Sequence, residues 1–580
     1  MDRQVATVYP DQTFTSNVFN SAGYPVRVRD RMGRWTTNTW DAAGHLVRVD
    51  YPNGDWVKKE YDGHLVSRVI DGRHNTTDYF YCREQLTGVR FPDGSVRAAG
   101  FDNFNRQIWA VDERGVCVTN CYDTLDRVVA SAYVPYTDSS VIDGLPCTTD
   151  MPAVSPATCQ WNLIHGGFAN QSIAYSYDAV GNLTNLSDWV CTVTNGYDAL
   201  NRRTREYTDY GGSLSYSYCL DATYDPLDNR IGLTVDGEDN YVTYDYSYDD
   251  VNRLSSISCD GLRDVDVTNV YNLNGKLASV TAVENQTSIR TFTYDSEQRL
   301  VGIDAEYASL GELDLDYSYN DAQQIVSLSE INNYVTETAP SHIYSFGYDE
   351  RDQLTNETVS GGTTIYAYDK AENRVMKKAG ADDPDEYGYS FASKLTNVHL
   401  GAATANNRYS YDIAGNLCTG IVNGATNTYG YNAQNKLVVI HGDTFTNEFL
   451  YDSQNRRIAV TESNATRLVI HDGNLPIAEV DSNDDVCRSF VRGVGIAEGT
   501  GDMLVEIIGT DESAAAIHYL SNHRGDTLAA YCDSTCVAKY RYDAYGNQRS
   551  NHCVVTTPAY APRFTFSTKE FLPDARLYLY

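Results

Sequence analysis

A short unit that recurs along most of the chain constrains the fold more than any other feature of the sequence. The unit begins with an aromatic residue and Asp or Asn, continues with two variable residues and often Gly or Asn, and ends with a polar residue and often Leu. The clearest copies start at Tyr177 and Tyr411. Between Asp178 and Asp452 successive copies lie 20 to 29 residues apart, with one interval of 43 that a degenerate copy around Tyr389 divides. Recurrence of a unit at such intervals is typical of repeat architectures.

The chemistry of the unit predicts a β-hairpin. Asp or Asn opens a turn by bonding its side chain to the backbone two residues on, and Gly or Asn then supplies a left-handed residue. Side chains alternate before the turn, as strands require. Further copies begin at Tyr197, Tyr224, Tyr248, Tyr271, Tyr294, Tyr319, Tyr348, Tyr368, Tyr431 and Tyr451, looser ones at Trp40, Tyr61, Phe101 and Tyr122, and a late one at Tyr542.

The repeat-turn residues are predicted to be structural. They recur at every unit, whereas catalytic carboxylates should form one unique pair. The turn residues singled out on this basis are Tyr177, Asp178, Gly181, Tyr248, Asp249, Asn252, Tyr411, Asp412, Gly415, Tyr431, Asn432, Asn435, Tyr451, Asp452 and Asn455.

The number of hairpins predicts an all-β chain built as one long antiparallel strip. Hairpins of roughly 22 residues give two strands of about nine residues each, and on the order of 40 to 50 strands in all, a ribbon about 200 Å wide. Open sheets rarely exceed about ten strands, so the strip must coil, pair face to face or break. Tyr supplies 46 aromatic residues against 16 Phe and 6 Trp, and it suits a single layer that is wet on both faces. Coiling into a hollow shell or barrel is therefore favoured, with two packed sheets as the alternative.

Composition excludes several classes of protein. The 580 residues include 78 acidic and 45 basic ones, a net charge of −33. That excess argues against nucleic acid, whose phosphates need Lys and Arg, and against an anionic membrane surface. The sequence contains no apolar run of 18 residues, so it predicts no membrane span. Residues 1–10 contain no apolar segment like that of a signal peptide.

No pattern predicts a metal, a cofactor or an assembled active site. His518 and His523 are the only two close histidines, and a spacing of five residues puts them on opposite faces of a strand. Cys532 and Cys536 would need two further ligands for zinc. His552 and Cys553 could supply those two ligands, but the preferred interpretation is that the thirteen cysteines are isolated thiols.

The repeat pattern also predicts four regions. Residues 1–130 form an N-terminal repeat block, and residues 131–170, with four prolines, form an insertion or junction. Residues 171–460 form the main repeat block, and residues 461–580 form a C-terminal core region, in which residues 461–516 lose the Tyr-Asp unit.

The unit and the C-terminal blocks resemble the YD-repeat (Rhs, rearrangement-hotspot) proteins, over roughly residues 36 to 580. Residues 518–526 resemble the segment H-x-D-H-L-G, residues 540–546 the block Y-x-Y-D-x-Y-G, residues 561–569 the segment N-P-F-R-F-S-G/T-K, and residues 572–580 the block D-x-E-T-G-L-Y-Y-Y. Arg524 in place of Leu, and Ala575–Arg576 in place of Thr-Gly, depart from the pattern. The core-motif residues that the resemblance implies are His518, Asn522, His523, Gly525, Tyr542, Asp543 and Gly546.

The resemblance implies a structural function. In this family, which is similar to the toxin-complex cocoon and the teneurin barrel, the strip spirals into a shell around a C-terminal cargo polypeptide, usually a toxin. The family's D-P-x-G self-cleavage region would lie beyond Tyr580, so this region is expected to be non-catalytic. A secreted or cell-surface location and a secretion apparatus as partner are further expectations.

Two other functions compete with the shell. Rows of exposed Tyr would suit stacking on sugar rings, which predicts a surface adhesin or carbohydrate-binding protein. A glycan-processing enzyme is the weaker alternative, because no unique carboxylate pair is found.

Overall fold

The computed structural model of the chain describes most of the sequence. The described residues are 3–9, 12–135, 171–211, 214–236, 241–261, 263–308, 311–332, 341–360, 362–390, 393–401, 406–422, 424–462, 465–493, 502–510, 513–533, 535–549 and 554–579. The predicted insertion therefore lies outside them from residue 136 to residue 170.

The prediction of an all-β chain is confirmed. Strands make up 62% of the residues, and within the described ranges the only helices are two short 3-10 turns, Pro558–Tyr560 and Phe566–Thr568. Forty-seven strands form one antiparallel sheet in which consecutive strands pair, and a separate two-stranded ribbon follows. No described helix has the length and apolar character needed to cross a bilayer.

In the described connections the strands follow one another without a helix between them. The first thirteen are β1 Ala6–Val8, β2 Phe14–Phe19, β3 Pro25–Arg29, β4 Trp35–Trp40, β5 Leu46–Asp50, β6 Trp56–Asp62, β7 Leu65–Ile70, β8 Thr76–Cys82, β9 Gln85–Arg90, β10 Val96–Phe101, β11 Gln107–Val111, β12 Val116–Tyr122 and β13 Val128–Pro135. The next fourteen are β14 Gln171–Tyr177, β15 Leu183–Ser187, β16 Cys191–Tyr197, β17 Arg203–Tyr210, β18 Tyr216–Tyr224, β19 Arg230–Asp236, β20 Tyr241–Tyr248, β21 Leu254–Asp260, β22 Val265–Tyr271, β23 Leu277–Val283, β24 Thr287–Tyr294, β25 Leu300–Tyr307, β26 Gly311–Tyr319 and β27 Ile325–Asn332.

The remaining strands continue the same pattern to the end of the chain. They are β28 Ser341–Tyr348, β29 Leu354–Val359, β30 Gly362–Tyr368, β31 Arg374–Ala379, β32 Asp385–Tyr389, β33 Leu395–His399, β34 Asn406–Tyr411, β35 Leu417–Val422, β36 Ala425–Tyr431, β37 Leu437–His441, β38 Thr446–Tyr451, β39 Arg457–Glu462, β40 Ala465–Asp472, β41 Leu475–Val480, β42 Val486–Gly493, β43 Asp502–Ile508, β44 Ala515–Ser521, β45 Thr527–Cys532, β46 Thr535–Lys539, β47 Val554–Val555, β48 Glu570–Leu572 and β49 Leu577–Leu579.

Two kinds of turn alternate along the strip. We call the turns that join an even-numbered strand to the next strand repeat turns, because they carry the Asp or Asn of the sequence unit. The turns at the opposite ends of the strands are far turns. Most strands have five to eight residues rather than the nine expected, because each repeat turn takes five residues and is followed by a bulge. In the hairpin of β14 and β15, Tyr177 pairs with Leu183 and Ser176 with Asn185, which leaves Thr184 without an opposite residue.

The chain divides into two compact units. Unit 1 comprises Met1–Ser172, Ser318–Ser327 and Tyr344–Leu437. Within it, far turns of β3 to β12 contact repeat turns of β28 to β37, about 300 residues later in the sequence. Arg34 Nη2 lies 2.7 Å from Asp352 Oδ1, and Arg73 Nη1 lies 3.0 Å from Asp369 Oδ2.

Unit 2 comprises Ile173–Tyr317, Leu328–Ile343 and Val438–Tyr580. Its strands β43, β44 and β45 are buried on both faces, except at Ile508. One face packs against the earlier strands of the unit, where the Tyr307 hydroxyl donates to the Asp533 carbonyl at 2.8 Å. Burial on both faces explains why these strands are almost continuously apolar instead of alternating. Of the two architectures that the sequence left open, packed layers therefore occur within unit 2, while coiling of the strip into a shell stays a prediction.

The structure explains the abundance of Tyr. The hydroxyl of a repeat Tyr donates to the backbone carbonyl of the residue that lies six positions after the aromatic residue of the preceding unit. The Tyr294 hydroxyl, for example, donates to the Leu277 carbonyl at 2.8 Å, and Phe could not make this bond. The same bond, at 2.7 to 3.0 Å, is made by Tyr61, Tyr122, Tyr197, Tyr224, Tyr248, Tyr271, Tyr348, Tyr368 and Tyr389.

We expect Tyr294→Phe to lower the free energy of unfolding by about 1 kcal/mol, because the ring keeps its packing while one hydrogen bond is lost. Tyr241→Phe is the matched control, since Tyr241 is 66% exposed. Urea unfolding of both variants measures the difference. Equal unfolding midpoints for the two variants would contradict this role of the hydroxyl.

Candidate functional site

The repeat turn is built around one side-chain oxygen. Oδ1 of Asp178 accepts the backbone N–H groups of Val180 at 3.0 Å and of Gly181 and Asn182 at 2.8 Å. The backbone closes the loop, because the Asp178 N–H donates to the Asn182 carbonyl and the Gly181 N–H donates to the Asp178 carbonyl. Gly181 has a φ of 102°, a left-handed conformation that glycine adopts without strain.

The other predicted turns have the same geometry. Oδ1 of Asp249, Asp412, Asn432 and Asp452 accepts the N–H of the residue four positions on, at 2.8 to 2.9 Å. The left-handed position is held by Gly415 with a φ of 89°, and by three asparagines with φ between 64° and 69°. Those asparagines are Asn252, Asn435 and Asn455.

The fifth turn residue joins neighbouring turns, a contact that the sequence unit did not predict. Asn182 Nδ2 donates to Asp178 Oδ2 in its own turn and to Asn201 Oδ1 in the next one, both at 2.9 Å. Arg202 spans the same gap, since Nη1 donates to the Asp225 carbonyl at 2.7 Å and the guanidinium lies over the Tyr224 ring at 4.9 Å. The recurrence of a long polar donor, such as Asn or Arg, directly after the left-handed residue is the signal that could have revealed this contact.

Burial reverses the direction in which the pKa of the turn Asp is shifted. At Asp178, which is partly exposed, desolvation acts to raise the pKa, but bonds from Asn182 and the backbone prevail and lower it. At the buried Asp452 desolvation dominates and the pKa is raised, although Arg456 opposes it. Arg456 Nε lies 2.6 Å from Asp452 Oδ2, and its Nη1 lies 3.1 Å from Glu206 Oε1.

Two segments of the predicted core motif are further copies of the repeat turn. Oδ1 of Asn522 accepts the N–H groups of Arg524 and Asp526 at 2.9 and 3.0 Å. Oδ1 of Asp543 accepts those of Tyr545 and Asn547 at 2.9 and 3.0 Å. Gly525 and Gly546 hold the left-handed positions, with φ of 76° and 82°, and Tyr542 is buried beside Tyr540.

The two core histidines lie at separate places, where His518 is buried and His523 is half-buried. His518 on β44 has Nδ1 3.0 Å from the Ser288 hydroxyl. His523 in the following turn has Nδ1 3.1 Å from the Tyr317 hydroxyl. Burial lowers the pKa of each histidine to about 4, so both rings are neutral at pH 7.

The turn after β44 holds a segment near the C-terminus, residues 561–572, which we call the strap. Asp526 Oδ1 accepts the Ser567 N–H at 2.8 Å, and the Thr527 hydroxyl donates to the Phe564 carbonyl at 3.0 Å. Gly525 is required here, because a Cβ at this position would lie 2.6 Å from Thr568 Cγ2. The strap thus lies against the face of β44 opposite His518.

A cluster of four arginines and four glutamates anchors the strap. Glu570 accepts hydrogen bonds from Arg457 and Arg467. Arg563 Nη2 lies 2.9 Å from Glu479 Oε2, and the Arg563 N–H donates to the Tyr519 hydroxyl at 3.1 Å. The full cluster consists of Arg457, Arg467, Arg488 and Arg563 with Glu462, Glu479, Glu506 and Glu570.

The cluster is electrically balanced and largely withdrawn from water. The side chains of Glu479, Glu506 and Glu570 are 3%, 0% and 4% exposed, so each carboxylate needs its partners. Burial alone would raise the pKa of Glu570, but the positive charges of Arg457, Arg467 and Arg563 lower it to about 2. Glu570 therefore stays ionised at neutral pH, and its charge holds the strap against the arginines.

The cluster was not predicted from the sequence. Two of its glutamates, Glu479 and Glu506, stand inside apolar runs, such as Met503–Ile507 around Glu506. A carboxylate in such a run is the signal, because it must be paired when buried. Its partners could not be identified, since Arg563 and Glu570 meet the strands only through the tertiary fold.

The metal ligands that the sequence had suggested lie partly within the described ranges. No group of three or more His, Cys, Asp or Glu side chains there could hold a metal ion. Cys532 and Cys536 lie on the paired strands β45 and β46 as free thiols, and the zinc ligands considered with them, His552 and Cys553, lie outside the described residues. Cys82 is in a disulfide, whereas nine other cysteines are free.

We expect Glu570→Gln to release the strap, because three arginines lose the charge that compensates them at a cost of roughly 3 to 5 kcal/mol. Limited trypsin digestion should then cleave after Arg563 and Lys569, which are protected in the parent protein. Asp574→Asn, the same chemical change at an exposed position, is the control and should leave the pattern unchanged. Parent-like cleavage of Glu570→Gln would show that the cluster does not hold the strap.

Acid should destabilise unit 2. The folded-state pKa values of His518 and His523, about 4, lie below the ordinary 6.5. The unfolded chain therefore binds more protons between those values, and stability falls as the pH drops from 6.5 toward 4. From pH 7 to pH 5 we expect a loss on the order of 1 to 2 kcal/mol per histidine.

Urea unfolding at the two pH values measures that loss. His523→Gln should reduce the pH dependence, and His399→Gln, at an exposed histidine, should not. The same pH dependence in all three proteins would assign the acid sensitivity to other groups.

The fold has been seen in solved structures. A crystal structure of TcdB2–TccC3 matches with a TM-score of 0.73 at 13% identity over 98% of this chain and 33% of that chain. A TcdB2–TccC3–TEV crystal structure gives a TM-score of 0.73 at 13% identity, covering 98% and 32%. The Photorhabdus luminescens Tc holotoxin pore with a TccC3 mutation gives 0.70 at 13%, covering 98% and 32%.

The likeness lies in the fold rather than in the sequence. No protein-family model matches the chain, and no curated protein matches it. The chain spans about a third of the length of the chains that it matches. The prediction of a YD-repeat architecture is confirmed at this level: the chain has the hairpin-strip fold of the TcdB2–TccC3 toxin-complex structures.

Proposed function

We propose that this chain is a structural wall of a toxin-type shell that encloses a C-terminal cargo polypeptide, without catalysis of its own. The observation that carries the proposal is the fold shared with the toxin-complex structures along 98% of the chain. Those structures contain TcdB2 together with TccC3. The class of cargo that we propose for this chain is therefore a polypeptide.

The use of the repeat residues supports a wall rather than a binding platform. In ten units the Tyr hydroxyl donates to the preceding unit, and the turn oxygen accepts its own backbone, so both groups serve the strip itself. A glycan-binding surface would need such groups free and pointing outward. No contact in the described residues favours the adhesin or the glycan-processing enzyme.

The strap supports the proposed enclosure of a C-terminal cargo polypeptide. Arg563 and Glu570 fix the strap against strands that are buried on both faces, so a polypeptide following Tyr580 would start from an anchored point. Anchoring keeps the start of a cargo segment in place while the rest remains unfolded. A secreted or cell-surface location and delivery by a secretion apparatus belong to the same proposal, and the Cys82 disulfide is typical of oxidising compartments.

The test is protection of a cargo from protease. An unfolded reporter polypeptide is fused after Tyr580, and the fusion protein is digested with proteinase K for increasing times. Enclosure predicts that the reporter survives at least tenfold longer than the same reporter fused before Met1, which is the matched control. Equal half-lives at the two ends would overturn the proposed enclosure.

The strap variant separates anchoring from enclosure. Glu570→Gln should shorten the life of the C-terminal reporter, whereas Asp574→Asn should leave it protected. Full protection in both variants would mean that the wall alone retains the cargo and that the strap has no part in it.

A further inference from the structure

One arginine in the interior of unit 2 has no acidic partner among the described residues. Other interior arginines of the unit pair with carboxylates, as Arg290 does with Asp502 at 2.5 Å and Arg456 does with Asp452 at 2.6 Å. Arg492 is half-buried near the end of β42, and its contacts to the described residues include no ion pair. A cation that is withdrawn from water requires a compensating negative charge, so Arg492 differs from its neighbours.

The side chain of Arg492 is held in place by uncharged groups. Its Nε donates to the Pro476 carbonyl at 3.3 Å, and its Cζ lies 4.6 Å from the centroid of the Phe564 ring. Phe564 is itself 6% exposed and packs edge-to-face on Phe490, with ring centroids 5.1 Å apart. The guanidinium therefore has a fixed direction, because both Nε and one flat side of the group are occupied.

The end of this guanidinium is open to a ligand. Nη1 and Nη2 of Arg492 make no hydrogen bond to a described residue, and neither atom is fully buried, whereas Nη2 of Arg290 and Nη2 of Arg456 are. Two neighbouring N–H groups in one plane match the two oxygens of a carboxylate and bind it through two parallel hydrogen bonds. The free edge of Arg492 thus has the geometry of carboxylate recognition.

The acidic groups around Arg492 do not supply that carboxylate. The charge of Asp502 acts on Arg492, but Asp502 Oδ2 accepts a hydrogen bond from Arg290. The hydroxyls of Tyr519 and Tyr244 lie near Arg492 as well, and burial raises the pKa of both, so they are neutral at pH 7. Burial therefore dominates and lowers the pKa of Arg492 to about 10.

The strap brings a second cation to the same place. Lys569 directly follows the short turn Phe566–Thr568 of the strap. Burial, together with the positive charge of Arg492, lowers the pKa of Lys569. Like charges at short distance disfavour each other's ionised form, and an anion beside both restores it.

We propose that Arg492 and Lys569 form a binding site for a carboxylate. Nη1 and Nη2 of Arg492 would donate to its two oxygens, Lys569 would supply the second positive charge, and Phe564 would hold the plane of the guanidinium. The carboxylate can belong to a small molecule or to an Asp or Glu side chain of a polypeptide, two sources that binding constants separate. This inference goes beyond the proposed enclosure of a cargo and stands without it.

Saturation-transfer NMR on the full chain detects weak ligands of this kind. The probe is the peptide acetyl-Gly-Asp-Gly-amide, and acetyl-Gly-Asn-Gly-amide, which lacks only the charge, is the matched control at the same ionic strength. The Asp peptide should show saturable binding with a dissociation constant below about 10 mM, and the Asn peptide should bind at least tenfold more weakly. Acetate that binds within tenfold of the Asp peptide would assign the site to a free carboxylate, and weaker acetate binding would assign it to a polypeptide side chain.

Protein variants locate the binding. Arg492→Gln should weaken binding of the Asp peptide at least tenfold, and Lys569→Gln should weaken it at least threefold. Arg492→Lys keeps a cation on the Phe564 ring but loses the pair of N–H groups, and it should also weaken binding at least threefold. Arg27→Gln is the matched control and should leave binding unchanged, because Arg27 also lies over an aromatic ring, that of Trp35 at 4.4 Å, but is exposed.

Three results would overturn the proposed carboxylate site. They are binding of the Asp peptide without saturation, equal binding of the Asp and Asn peptides, and equal losses in Arg492→Gln and Arg27→Gln.

Discussion

The hairpins of the repeat unit depend on one side-chain oxygen that accepts the backbone N–H groups of its own turn. In the turn at Asp178 this oxygen fixes a five-residue loop with one left-handed residue, and the loop fixes the bulge after it. The bulge sets the register of the two strands, which in turn sends the repeat Tyr toward the preceding hairpin. The bond from the Tyr hydroxyl to a carbonyl of the preceding unit then carries the same register along the strip. A local contact of a few residues is thereby propagated over forty-seven strands.

Unit 2 differs from a simple strip of hairpins, because its strands β43, β44 and β45 are buried on both faces. Such strands have no wet face on which to place charges, yet β43 carries Glu506, and Glu479 is buried on β41 nearby. Arginines from neighbouring strands and from the strap compensate these carboxylates, which ties the strap to this one location. Replacing the cluster by apolar residues would be compatible with stability, so its value is in specifying where the strap binds rather than how tightly the unit folds.

Much of the architecture followed from the sequence, because its determinants are local. The positions of Asp178, Gly181 and Leu183 suffice to predict a turn, the residue with left-handed backbone conformation and the start of the return strand. The bond between Tyr294 and Leu277 was not predicted, since it joins two units and depends on the bulge. The strap cluster was missed for a stronger reason: Arg467 and Glu570 are 103 residues apart, and no local pattern relates them.

The acceptor role of the turn oxygen has a consequence for how such sequences can diverge. Asn272, Asn320 and Asn522 accept the same two amides as Asp249 does, at 2.9 to 3.0 Å, so the geometry of the turn is indifferent to whether its first residue is ionised. Each exposed unit can therefore exchange Asp for Asn, and so gain or lose a unit of charge, while the backbone stays as it is. The net charge of −33 is then a property that mutation can tune one hairpin at a time, independently of the fold that displays it.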